Sequence, residues 1–330
     1  MSIKDIATQL DLSVSTVSRA LNDYPDISPR TKKRVWKAAQ ALGYKLKRDD
    51  NTQWTQTKKS VCVLLPSHES QLIDPILSKV LAGTRQHLQQ HGYLLQVIAL
   101  DQGREELSQL ERLIRSGDQD AFLLLRTRVN DPKVHRLLKL NVPFVCYGRM
   151  ELAQHFAWLD LDNYHMGRMA IAKLAELGHH KVAILAPDKR YFFVQERLRG
   201  IAEEAAAQGL VLSSDYWIEM DFDEEACYLA CVERLLQYPE ITAVLALTSV
   251  GANSAGMAAL RVGDQHRQVA ILGCDTPLDE QRASLGIIGL QQAPPHLIGE
   301  RLADMVLARI QGTPVKDLQV ELSPGVVTSG

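Results

Sequence analysis

The sequence has little that would place the chain in a membrane or on a secretory route. It contains no run of about 18 apolar residues, so no transmembrane helix is expected. The first 13 residues, MSIKDIATQLDLS, lack the uninterrupted apolar core of a signal peptide, which favours a cytoplasmic protein without a membrane partner. Gly and Pro number only 20 and 13 among 330 residues, and this excludes a collagen-like or low-complexity chain.

Cysteine is scarce, and the five residues present are an odd number, which does not suit a disulfide framework. In a cytoplasmic protein reduced thiols are the default. Cys227 and Cys231 are four residues apart and would share a helix face, but no second Cys or His pair follows at zinc-ligand spacing. We predict two small buried apolar side chains there and no metal, with a metal site as the alternative.

Motifs of common enzyme classes are also missing. Neither Gly-x-Gly-x-x-Gly, nor a phosphate-binding loop ending in Gly-Lys-Ser/Thr, nor Gly-x-Ser-x-Gly occurs. His179 and His180 follow a helix end at Gly178 and precede a strand, a position that favours capping over catalysis. We therefore predict no catalytic residues and no cofactor, with an enzyme carrying a DNA-binding appendage as an alternative.

Negative charge is rare at one end of the chain. The first 60 residues hold no Glu, and their 12 Lys and Arg against 6 Asp give a net charge of +6. The other residues hold 25 basic and 33 acidic side chains, for −8, so the overall −2 hides a basic head on an acidic body. Such asymmetry is typical of a protein that contacts nucleic acid or an anionic surface with one end.

The basic head has the pattern of three short helices. Ser13 can cap the start of the second helix, and Ser28 followed by Pro29 can start the third. Gly43 can end the third helix. Apolar residues recur at helical spacing as Ile3, Ile6, Ala7 and Leu10, then Val17 and Leu21, then Val35, Ala39 and Leu42. Three short helices with a tight first turn fit a helix-turn-helix unit.

The polar face of the second helix suits DNA. It exposes short polar groups and one long donor, namely Ser15, Thr16, Ser18 and Arg19. In a major groove Arg can pair with guanine, whereas acidic side chains would be repelled. The basic residues between Arg30 and Lys37 add charge for phosphates, although that run alone fits a solvated face on a protein-interaction module equally well.

Four segments of this head, residues 3–7, 12–22, 27–31 and 41–44, together resemble the N-terminus of the lactose-repressor (LacI/GalR) family. The resemblance implies a ligand-responsive, sequence-specific transcriptional regulator that binds a palindromic DNA operator as a homodimer. Most members are repressors released by a sugar or sugar derivative. Corepressor-dependent repression and activation are the alternatives.

The resemblance also assigns DNA contacts. Val14 and Ser15 match positions that read bases, with Arg19 as a further base contact, and the apolar Val14 would touch a thymine methyl. The positions that match phosphate contacts are Ser13, Thr16, Ser18, Asn22, Ser28 and Thr31.

The linker departs from the family. Gln53 stands where the family carries a leucine that wedges into the minor groove, and Asp49 and Asp50 would face phosphates unfavourably. Asp, Asn and Thr are weak helix formers, so we favour a flexible tether. The alternative is that Trp54 replaces the wedge, since apolar side chains can open base steps.

Beyond the linker, apolar strands alternate with helices. Strands are predicted at residues 60–66, 94–99, 121–125, 144–147, 182–185, 243–247 and 269–272, and helices at 76–91, 107–116, 165–177, 196–208, 224–237 and 253–262. This alternation predicts an α/β fold with parallel sheets and crossover helices, and its length favours two sheets.

Family-like segments continue through this body, and they imply a core of two Rossmann-like subdomains that is similar to periplasmic sugar-binding proteins. The three crossovers between the subdomains are expected near residues 159–163, 288–292 and 318–322. The predicted domains are a helix-turn-helix domain at 1–44, a linker at 45–60 and an effector-binding and dimerisation core at 61–330. Within the core, one subdomain would comprise 61–160 and 290–320, and the other 161–289 and 321–330.

Ligands of such folds lie at the carboxyl ends of the strands. Arg197 and Asp275 match effector-contacting positions of the family, and a guanidinium with a carboxylate can bracket vicinal hydroxyls. Phe222 lies where the family often has an aromatic ring for a sugar face. Weaker candidates are Asp74, Arg149, Asp162 and Thr248, the last within a Thr-Ser pair that replaces the usual Asn-Asp. Polar, hydrogen-bonding side chains favour a carbohydrate effector, and a salt bridge or cap is the alternative for each residue.

Overall fold

The computed structural model describes residues 3–21, 24, 26–41, 59–66, 74–101, 103, 105–263, 268–275, 283–290, 292–325 and 327–328. The chain divides into two compact units, Met1–Thr57 and Lys58–Gly330. Asn22 and Trp54, predicted as a phosphate contact and as the alternative wedge, lie outside the described residues. Among the residues described, no helix combines the length and the apolar character needed to cross a membrane.

The described part of the first unit forms three helices, α1 Ile3–Leu10, α2 Val14–Leu21 and α3 Pro29–Ala41. The Ser13 hydroxyl accepts a hydrogen bond from the Thr16 amide at 3.0 Å, and the Ser28 hydroxyl accepts one from the Thr31 amide at 3.2 Å. These bonds satisfy amides that a helix start leaves unpaired, so α2 and α3 begin where the sequence predicts. The predicted three-helix head is confirmed.

The apolar stripes of the three helices meet in one small core. Its fully buried members are Ile6, Val17, Ala20 and Val35. Asp11 makes the tight turn between α1 and α2 with φ of 53°, in the left-handed region that Asp tolerates better than most residues. Helical spacing of apolar residues therefore predicts both the helices and their packing.

The second unit is built on two parallel sheets. In the described residues its strands are β1 Lys59–Pro66, β2 Tyr93–Leu100, β3 Ala121–Leu125, β4 Phe144–Tyr147, β5 Ala157–Leu161, β6 Val182–Ala186, β7 Trp217–Glu219, β8 Ala243–Ala246, β9 Ala270–Gly273, β10 Ile287–Leu290, β11 Gln319–Leu322 and β12 Val327–Thr328. The first sheet has the order β11-β5-β4-β3-β1-β2 and the second the order β12-β10-β9-β8-β6-β7. All pairs run parallel except β12 with β10.

Helices and apolar clusters cover both faces of each sheet. The described helices of this unit are α4 Pro75–Gln90, α5 Glu106–Ser116, α6 Pro132–Lys139, α7 Asn163–Glu176, α8 Phe192–Ala207, α9 Glu224–Gln237, α10 Ser249–Val262 and α11 Pro295–Ile310. Because both faces are covered, central strands are apolar throughout, and every residue of β3 and of β6 is buried. The predicted α/β core of two Rossmann-like sheets is confirmed.

The chain passes from one sheet to the other after β5, β10 and β11. The last passage follows directly after residues 318–322, near which the third crossover is expected. Residues 319–322 form β11, in which Val320 pairs with Leu159 of β5, so the chain leaves the first sheet only after Leu322. We call the part that carries β1 to β5 and β11 the first subdomain, and the part that carries β6 to β10 and β12 the second.

Candidate functional site

A cleft of about 790 Å³, including the part open to solvent, lies at the carboxyl ends of the strands of both subdomains. Part of its wall comes from residues within two positions after a strand, such as Arg126, Gly148 and Asp275, as expected for an open parallel sheet. Its polar and aromatic lining consists of Asp74, Arg126, Thr127, Tyr147, Asp160, Asn163, Phe193, Arg197, Phe222, Thr248, Ser249, Asp275 and Gln292. Five of the seven predicted effector residues are in this set.

Arg197 and Asp275 form the central ion pair of the cleft. Arg197 is 2% exposed, and its guanidinium donates to both carboxylate oxygens of Asp275, with Nη1···Oδ2 2.5 Å and Nη2···Oδ1 2.8 Å. Its Nε donates to Oδ1 of Asn163 at 2.9 Å, and Nη1 also donates to the Leu247 carbonyl. Burial lowers the pKa of Arg197, but Asp275, together with Cys274 and Tyr147, acts in the opposite direction and the pKa lies above its ordinary value.

Two glycines fix the backbone that carries Arg197. A Cβ at Gly167 of α7 would lie 2.1 Å from the Arg197 carbonyl oxygen, and one at Gly200 of α8 would lie 2.0 Å from the Tyr164 carbonyl oxygen. Neither position has room for any side chain. The close approach of α7 and α8 therefore depends on both glycines, and it sets where the guanidinium enters the cleft.

Asp160 at the end of β5 is a cleft carboxyl that the sequence analysis does not single out. Its oxygens accept hydrogen bonds from the Arg149 amide at 3.0 Å, the Leu161 amide at 2.8 Å and Nδ2 of Asn163 at 3.0 Å. Burial raises its pKa to about 6, against the lowering effect of these donors. Asn163 thus connects Asp160 to Arg197, and a continuous polar network runs from the first subdomain to the second.

Arg126, which follows β3, is a second cleft cation absent from the sequence-based candidates. Its Nη2 donates to Oδ2 of Asp74 at 2.5 Å, and its guanidinium carbon lies 3.5 Å from the ring centroid of Phe222 in the other subdomain. Burial lowers the pKa of Arg126 although Asp74 acts to raise it. Phe222 is 4% exposed, and one face of its ring is covered by this guanidinium.

Asp74 and Thr248 line the cleft and also cap helices. The Asp74 carboxylate accepts from the amides of Ile76 at 2.8 Å and Leu77 at 3.2 Å, at the start of α4. The Thr248 hydroxyl accepts from the Gly251 amide at 3.1 Å, at the start of α10. Both side chains are held by local bonds, which orients them at the edge of the cleft.

Arg149 and Asp162 are not among the residues that line the cleft, and an effector contact of either residue stays a prediction. The Asp162 side chain caps α7 and accepts from the His165 amide at 2.9 Å. Arg149 lies 3.1 Å from Glu321 and 3.8 Å from Glu196, close to where the subdomains join. The observed contact of Asp162 is therefore a helix cap, and that of Arg149 is a salt bridge.

The residues after β3 also pair with the residues before α8 across one rim of the cleft. The Val129 amide donates to the Arg190 carbonyl at 2.9 Å, and the Phe192 amide donates to the Thr127 carbonyl at 3.2 Å. An isolated antiparallel bridge joins Arg128 to Tyr191 between them. The two subdomains are therefore held together by backbone bonds on this side, in addition to the contact of Arg126 with Phe222.

The predicted base contacts, Val14, Ser15 and Arg19, lie on α2. Val14 is 45% exposed although it is apolar, and Ser15 beside it is exposed as well. Arg19 is about half exposed, and its Nη2 lies 2.9 Å from the Asp26 carboxylate. Ser18 is partly buried. An exposed apolar side chain beside an exposed donor is what base-edge recognition needs.

The other head candidates form two hydroxyl pairs at helix starts. The Ser13 and Thr16 hydroxyls are 2.8 Å apart at the start of α2, and the Ser28 and Thr31 hydroxyls are 2.8 Å apart at the start of α3. All four side chains are exposed or partly exposed. Helix N-termini present amides and a partial positive charge, so hydroxyls in this position suit phosphate oxygens.

The cysteines are not part of either site. Cys227 and Cys231 are buried on α9 in an apolar cluster of the second subdomain, and burial raises the pKa of each thiol to about 12. The other three, Cys62, Cys146 and Cys274, are buried as well. No group of three or more His, Cys, Asp or Glu side chains arranged to hold a metal occurs in the part of the chain that the structure describes.

Two family models match the chain in adjoining stretches. The model described as "Periplasmic binding proteins and sugar binding domain of LacI family" matches residues 58–323. The model described as "Bacterial regulatory proteins, lacI family" matches residues 2–46. Together they account for the second unit and for the three-helix head.

Individual proteins with related sequence or fold are regulators. The HTH-type transcriptional regulator RafR of Escherichia coli is 27% identical over 327 residues, which cover 98% of this chain and 96% of RafR. The structure of the transcriptional regulator CelR in complex with cellobiose matches with a TM-score of 0.70 at 24% identity and covers all of both chains. The lac repressor dimer bound to operator and the anti-inducer ONPF matches with a TM-score of 0.70 at 19% identity, covering 100% of this chain and 98% of that one. At these identities the two structures establish a common fold.

Proposed function

The chain belongs to the lacI family of bacterial regulatory proteins, and on that premise we propose that a carbohydrate bound in the cleft controls how this DNA-binding transcriptional regulator occupies its operator. We further propose that it acts in the cytoplasm as a homodimeric repressor released by that ligand. The observation that carries the proposal is the Arg197–Asp275 pair, which is held in a buried polar network on the wall of a cleft in a sugar-binding type of domain.

The chemistry of the network suits hydroxyl groups. A guanidinium offers several donors in one plane, and a carboxylate offers several acceptors, so the pair can bind neighbouring hydroxyls that both donate and accept. Asn163 and Gln292, which also line the cleft, hold the pair in place, since Oδ1 of Asn163 accepts from Arg197 and Nε2 of Gln292 donates to Asp275. The relative CelR is described in complex with cellobiose, which supports a saccharide for this chain.

Control follows from the position of the cleft. Its wall contains Arg126 and Asp160 from the first subdomain and Arg197, Phe222 and Asp275 from the second, so a ligand that fills it contacts both. A ligand that binds one arrangement of the subdomains more tightly shifts the population towards it. The change in operator affinity cannot exceed the difference between the ligand's affinities for the two arrangements.

We propose that the chain has the three parts predicted from the sequence. Residues 1–44 form the DNA-binding domain, 45–60 a tether and 61–330 the effector-binding and dimerisation core. Val14, Ser15 and Arg19 would contact base edges. Ser13, Thr16, Ser18, Asn22, Ser28 and Thr31 would contact the phosphate backbone. A homodimer has two-fold symmetry and therefore fits a palindromic operator with two half-sites.

A thermal-shift screen of the full chain against neutral saccharides and sugar phosphates tests the proposal. A ligand of the native state raises the apparent stability by RT ln(1 + [L]/Kd), so a saccharide effector should raise Tm in a concentration-dependent way. The Arg197→Ala and Asp275→Ala variants should lose the shift and still bind DNA. The control is Arg168→Ala, which removes an exposed guanidinium of α7 paired with Glu204 and should keep the shift. A wild-type protein whose Tm and operator affinity respond to no saccharide would contradict the proposal.

A further inference from the structure

The side chain of Arg19, predicted to contact a base edge, has two partners inside the head. Its Nη2 lies 2.9 Å from Oδ1 of Asp26, and its guanidinium carbon lies 5.1 Å from the centroid of the Tyr24 ring. Arg19 is in the last turn of α2, and both partners come from the chain that follows this helix. The side chains of Arg19 and Asp26 are each about half exposed, so the pair is open to solvent.

The backbone holds both partners in place. The Tyr24 amide donates to the Arg19 carbonyl at 3.0 Å, which turns the chain back against the end of α2. The Ile27 amide donates to the Tyr24 carbonyl at 3.2 Å, and the Ile27 side chain packs against the apolar core of the head. Asp26 lies between these two anchored residues, so the fold sets the position of its carboxylate relative to Arg19.

This ion pair matters for orientation more than for stability. A half-exposed pair contributes little to the free energy of folding, because water solvates both charges. An Arg side chain has several rotatable bonds, however, and fixing them on binding costs entropy. A guanidinium that is already held by a carboxylate and a ring therefore loses less freedom when it meets DNA.

The contact with Asp26 still leaves donors for a base. A guanidinium has five N–H groups, and guanine offers two acceptors, N7 and O6, in the major groove. With one N–H directed at Asp26, four remain for these acceptors. The carboxylate also offsets the attraction of Arg19 to phosphates, which are the same in every DNA sequence. Both effects favour base recognition over sequence-independent binding.

We propose that Asp26 is a positioning residue for DNA recognition, which holds the Arg19 guanidinium in the orientation that pairs with guanine and so raises selectivity for the operator over other DNA. This inference rests on the proposed base contact of Arg19. Asp26 acts through Arg19 and not through a contact of its own with a base.

The experiment first finds the base pair that Arg19 reads. The full chain and its Arg19→Ala variant each select duplexes from a pool of random sequence, at low salt so that weakened binding is retained. A position where the preference for guanine disappears in the variant marks the contact. Kd is then measured at one salt concentration for the duplex that wild-type protein prefers and for the same duplex with A·T at that base pair in one half-site. The ratio of the two Kd values is the discrimination.

Asp26→Ala should lower this discrimination about threefold to tenfold, which corresponds to the cost of ordering one long side chain. A purely structural defect in the head would weaken binding to both duplexes equally and leave the ratio unchanged. The control is Asp11→Asn, which removes the same charge from the exposed turn before α2, where Asn tolerates the φ of 53°. It should shift both Kd values together and keep the ratio.

Three results would overturn the inference and leave the base contact of Arg19 intact. The first is an unchanged ratio in Asp26→Ala. The second is a higher ratio in that variant, which would mean that Asp26 keeps Arg19 away from DNA. The third is an equal loss of discrimination in Asp11→Asn, which would assign the effect to charge alone. If Arg19→Ala selects the same sequences as wild-type protein, the proposed base contact is itself wrong.

Discussion

The polar side chains of the head and those of the cleft differ in where their partners come from. In the head, Ser13 bonds to Thr16 and Ser28 to Thr31, three residues along the chain, at positions open to solvent. In the cleft, Arg197 and Asp275 are 78 residues apart, and Arg126 and Asp74 are 52 apart. The proposed DNA-contacting surface thus forms within a short segment, whereas the cleft exists only once both sheets have formed.

Burial makes the same kind of residue behave differently in the two regions. Arg19 in the head is half exposed, so water solvates it whether or not Asp26 is near. Arg197 is buried, and removal of its partner would leave a charge without solvation. Substitutions in the head should therefore affect DNA binding with little effect on stability, whereas substitutions in the cleft should affect both stability and ligand binding.

The largest effect is expected from the central ion pair. Arg197→Leu should lower the free energy of unfolding of the core by about 3–5 kcal/mol, because it leaves the Asp275 carboxylate without its cation and Asn163 without its Nε donor. The double change Arg197→Leu with Asp275→Asn should recover most of that loss, since neither charge then remains and Asn tolerates the φ of 56° at this position. Urea unfolding of the full chain, followed by fluorescence, measures both.

The double variant should nevertheless give no thermal shift with any saccharide, which separates the stability of the pair from its role in binding. Equal instability of the single and double variants would argue against uncompensated charge as the cause. If the double variant still binds a saccharide, the ion pair is not part of the binding site.

The next effect is a pH dependence centred on Asp160. Its pKa in the folded protein is about 6, against an ordinary 3.8, so the folded state holds the proton more tightly than the unfolded chain does. The stability that this proton provides is complete below about pH 4 and is lost as the pH rises through about 6, up to roughly 3 kcal/mol by pH 7. Asp160→Asn cannot ionise, so its stability relative to wild type should increase between pH 4 and pH 7.

Paired thermal unfolding curves of wild-type and Asp160→Asn protein at pH 4, 5, 6 and 7 measure this difference. Asp160→Asn also loses a hydrogen bond, because its amide nitrogen cannot accept from the Arg149 amide as Oδ2 does now. This loss changes the stability of the variant by the same amount at every pH and does not alter the pH dependence of the difference. A difference that does not change over this range would show that Asp160 titrates as an ordinary carboxyl.

The contrast between the regions also explains what could be predicted from the sequence. The head needs only helical spacing and caps, and its described helices begin where these predict. In the core, β3 and β4 have the predicted bounds because their apolar runs are uninterrupted. Short elements such as β7, with three residues, lack enough sequence for a period to be visible. The start of α8 was predicted at Glu196 but lies at Phe192, because packing of aromatic residues overrides their weak helix propensity.

The limit of prediction from the sequence is clearest for the residues of the cleft. Arg197 and Asp275 follow from family resemblance, Thr248 follows from the Thr-Ser pair that replaces the usual Asn-Asp, and Asp74 is one of the weaker candidates. Arg126 directly follows the strand predicted at residues 121–125, which places it at the edge where ligands bind, but nothing in Leu-Leu-Leu-Arg-Thr indicates that its partners are Asp74 and a ring of the other subdomain. The described contacts of Arg149 and Asp162 lie outside the cleft lining, since Arg149 lies beside Glu321 and Asp162 caps the start of α7 through the His165 amide.

The smallest effect compares two serines of one helix, one with a structural role and one without. Ser13→Ala should destabilise α2 by about 1 kcal/mol, since the Thr16 amide loses its cap, and should speed hydrogen exchange of the first amides of α2 in the full chain. Ser15→Ala, an exposed position within the same helix, should leave that exchange unchanged and weaken only operator binding. If Ser15→Ala speeds exchange as much as Ser13→Ala does, recognition and folding are not separable in the head. The contrast with the cleft, where they are coupled through buried charge, would then be lost.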